Sequence, residues 1–310
     1  MSSNKATIAC LTGAGTAPEL MAEAVRALDA VARLHGLSLD EVHAPFGAAA
    51  VARGGQAFPA TTRDAVLASD AVLVAGAEEP ALNEVMAELD LRARVTRVRF
   101  GHDDDVALVA PLDESSSEWA LERAFELAER RRLRLASVGD GDWIALADSV
   151  AARYDHVRVE HLSPRMALPL AAFQAGRFDV VAVAPGWAEA VVEIVAAPAA
   201  ARVAAHALLA EHGPSLCVPS PDGGFAIAGH GIVNPCSMLL AAALVLEHGL
   251  GEPAAGATLA GAVSAALVDG PQTPDLLRRG VGATSREFTA RVVDGFQLSN
   301  RNAEFWAGAA

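Results

Sequence analysis

Short apolar runs rich in β-branched residues alternate with helical patterns along much of the chain, and this alternation restricts the fold more than any other feature. "ATIACL" is followed by a helical stretch from Pro18 to His35, then "LDEVHAP", the helix-like "ATTRDAVLAS" and "DAVLVAGA". Farther on, "DVALVAPL" precedes the helical "SSSEWALERAFELAERRR". "RLRLASV", "HVRVEHL" and "FDVVAVA" follow as strand candidates, with helical segments through "ALADSVAARY" and "RMALPLAAFQAG". Strands that alternate with helices build parallel βα units whose sheet is covered by helices. The order predicts an α/β protein with a second α/β lobe in the middle and mostly helix from "CSMLLAAALVLEHG" to the end. The Ala-rich stretch 195–207 reads as a helix broken at Pro198.

With 310 residues, 52% of them apolar, the chain can bury a sizeable core. Its formal charge of -14 repels a phosphate backbone or an anionic membrane, so neither nucleic acid nor a membrane surface is expected as a partner. The three cysteines, Cys10, Cys217 and Cys236, form no CxxC pair. They indicate neither a disulfide framework nor a zinc knuckle and suit a reducing compartment. The first residues lack the apolar run of a signal sequence, and no segment is long enough for a membrane helix. The expectation is a cytoplasmic protein.

"LTGAGTAPE", residues 11–19, joins the first strand to the first helix. A dinucleotide fingerprint needs G-x-G-x-x-G/A, in which the third small residue lets helix and strand pack closely. Gly13 and Gly15 fit, but the third place is Pro18, a residue suited to the first turn of a helix and not to that contact. The stretch therefore does not read as the loop of a classical Rossmann fold.

"IACLTGAGTAPELMAEAVRALDAVA" resembles instead the opening of the isopropylmalate/isocitrate dehydrogenase family, a strand followed by G-D-G-I-G-P-E and a helix. The resemblance continues through "GAAAVARGGQAFPATTRDAVLASDAVLVAGA", "ASVGDGDWIALADSVAARY", "VRVEHLSPRMALPLAAFQAGRFDVVAV", "AIAGHGIVNPCSMLLAAALVLEHG" and "TPDLLRRGVGATSREFTARVVDG". It implies an α/β fold of two lobes: residues 1–100 with 210–310 on the cofactor side, and 101–209 carrying a dimer interface. The family's clasp arm is shortened here to "PLDESSSEWAL". A homodimer, or a heteromeric partner that supplies missing site residues, is implied in the same way.

The resemblance also implies a chemistry: oxidation of a 2-hydroxy acid by NAD or NADP, with Mg or Mn polarising the substrate oxygens before loss of a carboxyl group. Several motif positions differ. The Y-V-D-N-A segment reads "SPRMA", with Arg165 in the aspartate's place, and the G-D-x-x-S-D-E segment reads "AEAVVEI", with Glu189 and Glu193 at the two aspartates. Those glutamates share a helix face and read either as a remnant metal site or as a solvated acidic edge. The D-K-A-N segment has Asp140 for the lysine and Asp142 for the asparagine, and the chain's single lysine is Lys5. The family's tyrosine falls in the shortened segment; the sole tyrosine, Tyr154, is expected to pack against the strand after it.

L-R-P becomes "VTR", and the next substrate arginine becomes Ala110. Arg92, Arg94, Arg97 and Arg99 remain nearby, so Arg94 and Arg97, with Arg165, are candidates to hold a carboxylate or phosphate; a solvated strand edge is the alternative. The cofactor loop H-G-S-A-P-D-I-A-G-K-G-I-A-N-P reads "SPDGGFAIAGHGIVNP", which makes Gly229, His230, Asn234 and Pro235 the candidate cofactor contacts. "GHDDD", residues 101–105, is a further candidate metal-binding turn, or simply a polar one.

Because a missing acid or base typically slows catalysis by about 10²–10⁴-fold, these changes together predict loss of metal-dependent oxidative decarboxylation. The expected replacement is binding of a small anionic metabolite, a role as a non-catalytic subunit, or a non-redox reaction using Asp140, Asp142, Glu189 and Glu193 as acids and bases. The alternative is an NAD(P)-dependent dehydrogenase acting on an unusual 2-hydroxy acid.

Overall fold

The computed structural model describes residues 5–76, 80–99, 105–196, 204–220, 225–277 and 280–307. Ten strands form one sheet: β1 Ala6–Thr12, β2 Leu39–Pro45, β3 Ala71–Ala75, β4 Leu91–Arg99, β5 Asp105–Pro111, β6 Arg134–Val138, β7 Arg158–Leu162, β8 Val180–Val183, β9 Ala204–Ala210 and β10 Ser215–Pro219. Their order across the sheet is β2-β1-β3-β10-β9-β4-β5-β8-β6-β7. β2, β1, β3 and β10 are parallel, as are β5, β8, β6 and β7, and antiparallel pairings through β9 and β4 join the two groups. The groups run in opposite senses, so the loops after β1 and after β8 leave the sheet at opposite edges.

Helices cover both faces. On one side lie α1 Ala17–His35, α5 Ser117–Glu129, α6 Gly141–Ala151, α9 Cys236–Leu244, α10 Pro253–Asp269 and the start of α11 Ser285–Ala307. On the other lie α3 Ala60–Leu67, α4 Leu82–Glu88, α7 Pro164–Gln174 and α8 Ala188–Ala196, with the short α2 Gly47–Val51 near the β2 edge. The alternation of side chains on the strands sets this division: Ile8 and Cys10 of β1 join the first core, whereas Ala9 and Leu11 join the second. Helix α1 shows how the sequence dictates its element. Pro18 stands in its first turn, Leu20, Met21, Ala24, Ala27, Leu28 and Val31 bury one stripe, and Gly36 ends it in the left-handed conformation. None of the described helices is long and apolar enough to cross a membrane.

Several expectations need correction. Residues 204–207 are the start of strand β9 and not the tail of a helix; they sit between β10 and β4, where partner strands on both sides override alanine's weak strand preference. Pro198 lies outside the described residues. Strand β4 is absent from the sequence reading because its arginines disguise an element buried along most of its length. Tyr154 stacks on Phe125 of α5, ring centroids 5.0 Å apart, and packs against the core on that face of the sheet. In "GHDDD", residues 101–104 lie outside the described residues, and Asp105 opens β5.

Asp105 anchors a buried ionic network on the α5/α9 face of the sheet. Arg97 reaches it from β4 at 2.6 Å and also binds Glu247 at 2.7 Å. Arg131 bridges Asp105 at 3.0 Å and Asp179 at 2.7 Å. Glu247 lies in a π-helical turn, Val245–Gly249, that links α9 to the loop before α10. The network therefore ties β4, β5, the end of α5, the start of β8 and this turn together. The neighbouring arginines hold the Asp105 carboxyl far below the usual carboxylate range against the opposing effect of its burial.

Candidate functional site

A cavity of about 210 Å³ opens where β5 and β8 end, lined by Arg94, Pro111, Leu112, Pro185, Gly186, Ala188 and Glu189. Strand β4 supplies Arg94 from its interior. Helix α8 supplies Glu189 from its first turn, and Gly186, left-handed at φ 83°, turns the chain between β8 and that helix. The Arg94 guanidinium meets the Glu189 carboxylate at 2.6 Å; the arginine side chain is 19% exposed and the glutamate 75%.

Arg94 stands directly across the ladder from Ala110 of β5. Ala110 is the position where the resemblance expects an arginine, so the neighbouring strand supplies a guanidinium beside it. Two residues along the same face of β4, Thr96 Oγ1 lies 2.9 Å from Nδ1 of His206, its partner across β9. Burial above all, and then the Arg94 charge, lower the His206 pKa to about 4; Glu189 opposes them. The imidazole is therefore neutral at physiological pH. A lone histidine in an alanine-rich stretch carried no sequence signal for this pairing.

Of the candidates drawn from the sequence, Arg94 and Glu189 meet. Arg97 does not join them: three residues on, its side chain projects to the opposite face, 7% exposed and bound to Asp105 and Glu247. Arg92 pairs with Asp90 and Glu211. Glu193 is exposed one turn after Glu189 and outside the cavity lining. Asp140 and Asp142 are exposed at the start of α6, and Arg165 is exposed in the first turn of α7; none of the three lines the cavity.

The divalent metal implied by the resemblance does not fit the described residues. None of them form a group of three or more His, Cys, Asp or Glu able to hold a metal ion. Glu189, one of the two carboxylates in the expected position, is already paired with a guanidinium, whose charge opposes a cation there.

A second cluster lies at the opposite edge of the sheet. The Glu19 carboxylate, in the first turn of α1, accepts the backbone N–H groups of Gly229 and Gly231, the latter at 2.8 Å. Both glycines are left-handed, φ 80° and 65°, so their amides turn toward a single anion. This bond brings "LTGAGTAPE" and "IAGHGIVNP" together, and the sequence reading assigned Glu19 no role. Asn234 accepts the Cys236 N–H at 2.9 Å and donates to Asp275 at 2.8 Å, and Pro235 precedes α9. His230 is exposed. The Gly229 and Gly231 amides and the Asn234 side chain are thus hydrogen-bonded within the protein.

A family model described as isocitrate/isopropylmalate dehydrogenase matches residues 7–97 and 203–292. Those spans include Arg94, Glu19 and the 229–235 loop; Asp140, Asp142, Arg165, Glu189 and Glu193 lie between them. Among curated relatives, the 3-isopropylmalate dehydrogenase of Synechococcus sp. (strain CC9605) is 28% identical, over 88% of this chain and 94% of the relative. The apo form of a β-decarboxylating dehydrogenase from Thermococcus kodakarensis superposes with a TM-score of 0.81 at 19% identity, covering 94% of this chain and 96% of the other. Isocitrate dehydrogenase from Methylococcus capsulatus gives 0.75 at 21% identity, covering 94% and 99%. The solved structures share the fold, the family model spans more than half of the sequence, and the chain belongs to the isocitrate/isopropylmalate dehydrogenase family.

Proposed function

We propose that this family member binds a small anionic metabolite in the Arg94 cavity and has lost metal-dependent oxidation with a nicotinamide cofactor. The observation that carries this reading is the 2.6 Å pair between Arg94 and Glu189. It places a largely buried guanidinium in a pocket and spends on it a carboxylate that a divalent metal would need. An arginine kept beside an exposed carboxylate can exchange that partner for an anion arriving from solvent. The commitment of Asn234 to Asp275 supports the same reading. The cavity lining offers no acid or base besides Glu189, which favours binding, or service as a non-catalytic subunit, over chemistry by Asp140, Asp142 or Glu193.

Calorimetric titration of NAD and NADP, with and without Mg or Mn, tests this directly, followed by an assay for NADH or NADPH formation from a panel of 2-hydroxy acids. No cofactor binding and no turnover are expected. Metal-dependent reduction of either nucleotide would overturn the reading in favour of an active dehydrogenase.

We infer further that residues 1–100 with 210–310 and residues 101–209 act as two lobes, that the middle lobe pairs with a second copy, and that the protein resides in the cytoplasm. Met166 and Phe173, seven residues apart on α7 and 59% and 86% exposed, support the pairing, and three free buried cysteines support a reducing compartment. Sedimentation of the native protein and of Phe173→Asp tests the pairing: a dimer that the substitution dissociates is expected. A monomer in both cases would overturn it.

A further inference from the structure

We propose that the Arg94 cavity selects a small monocarboxylate with a compact apolar body over dicarboxylates, and that Glu189 is a built-in competitor occupying the anion position until the ligand displaces it. The inference rests on the anion-binding reading above and adds the ligand's chemical class.

Size comes first. About 210 Å³ lies below the range of roughly 300–1,000 Å³ typical of pockets for larger ligands, so the occupant is a short organic acid. The walls come next. Pro111, Leu112, Pro185, Gly186 and Ala188 offer hydrocarbon and no side-chain charge, and Leu112 is 38% exposed, a large apolar side chain left bare at a pocket. Trp187, between Gly186 and Ala188, is likewise 37% exposed. An acid with an apolar body would cover such surface, worth about 25 cal/mol for each Å² removed from water.

Charge decides the rest. The cavity lining holds one cation, Arg94, and one anion, Glu189. Glu189 is mostly in water and sits in the first turn of its helix, so releasing it leaves a hydrated carboxylate near the favourable end of the helix dipole. Arg94 is four-fifths buried and stays. One arriving carboxylate can therefore replace Glu189 with no net change in paired charge. Among the described residues lining the cavity, a second carboxylate on the same ligand finds no second cation. Arg97 is bound on the opposite face of the sheet, Arg92 is paired with Asp90 and Glu211, and burial holds His206 neutral beside Arg94. That second charge would face proline and leucine or the displaced Glu189, and an unpaired charge against apolar walls is strongly disfavoured.

The test is titration of the full-length protein with butyrate, isovalerate and succinate, followed by the backbone amide resonances of Gly186 and Ala188. Butyrate and isovalerate are expected to shift both at millimolar concentration, with succinate about tenfold weaker or worse. Glu189→Gln removes the competitor and should tighten butyrate binding by about two- to fivefold, the range that partly exposed ion pairs support. Arg94→Gln should weaken it by at least about tenfold, and Arg94→Lys should retain part of it. Equal or stronger binding of succinate, weaker binding in Glu189→Gln, or no shift with any of the three acids would each overturn the proposal. Dehydrogenase turnover is measured separately, so its appearance would sink the functional reading while carboxylate selectivity is judged on its own.

Discussion

Glu19 accepts the Gly231 N–H at 2.8 Å, so the first turn of α1 holds a loop that follows 212 residues later. Together with the Gly229 bond, this carboxylate fills a pair of amides that would otherwise face solvent or an anion. Glu19→Ala should free both. A hydrogen bond to a charged group contributes about 1.5–3 kcal/mol when well shielded, and partial exposure here reduces that to about 1–2 kcal/mol. Faster hydrogen exchange confined to residues 228–232, with little change in α1, is the expected result. Unchanged exchange would show that the loop holds its shape without Glu19.

The Arg97–Asp105–Arg131–Asp179 network makes a different prediction, because its members are buried. Arg97→Ala leaves Asp105 and Glu247 without the guanidinium between them, and breaking such a pair from one side typically destabilises by about 3–5 kcal/mol. Chemical denaturation should show that loss. The exposed pair of Arg153 with Glu118 and Glu122 provides the contrast: Arg153→Ala should lower stability by less than about 1 kcal/mol.

Strand–helix alternation made most of the βα framework legible, since β1, α1, β2, β3, β5, β6, β7 and β8 each carry an apolar pattern of their own period. Strand β4 was hidden because alternate arginines find partners on both faces of the sheet, and a sequence does not reveal which charges will be paired. Strand β9 was hidden because "AAHALLA" carries a weak local preference and is fixed by its neighbours. At the site, a family motif position led to Glu189, and a cluster of arginines beside the altered L-R-P motif led separately to Arg94. Their meeting depends on the antiparallel register that sets β4 against β5, which no local pattern encodes. The alternation of side chains along β4 separates Arg94 from Arg97, three residues on, which their closeness in sequence had grouped together.

The three thiols should be inert in the native protein. Burial, followed by the Glu41 charge, pushes Cys10 up to about 12; burial raises Cys217 and Cys236 as well, with Glu247 and Asp275 respectively adding to it. A thiol that stays protonated and inaccessible is neither nucleophile nor metal ligand. A thiol-specific disulfide reagent at pH 8 should modify none of them in the folded state and all three in denaturant. Rapid labelling without unfolding would point to an opening motion around β1, β10 or α9.

Acid stability should report on two buried histidines. His206 and His248 both fall from the usual 6.5 to about 4, chiefly through burial, with Arg94 acting on the first and Arg97 and Arg130 on the second, against Glu189 and Glu247. Between pH 6.5 and 4 the unfolded chain binds protons at these sites that the folded chain does not, so stability rises with pH across that window and is lost as pH falls through it. The denaturation free energy should therefore drop between pH 6.5 and 4 with a slope approaching two protons. Asp105 adds a further loss that sets in below about pH 5, where the unfolded carboxyl starts to take up protons that the arginines keep off the folded one. Histidine NMR in variants identifies the cavity's share: Arg94→Gln should raise the His206 pKa, because a repelling cation is removed, and Glu189→Gln should lower it further. Movement in the opposite sense in either variant would mean that the Arg94–Glu189 pair does not face this imidazole in solution.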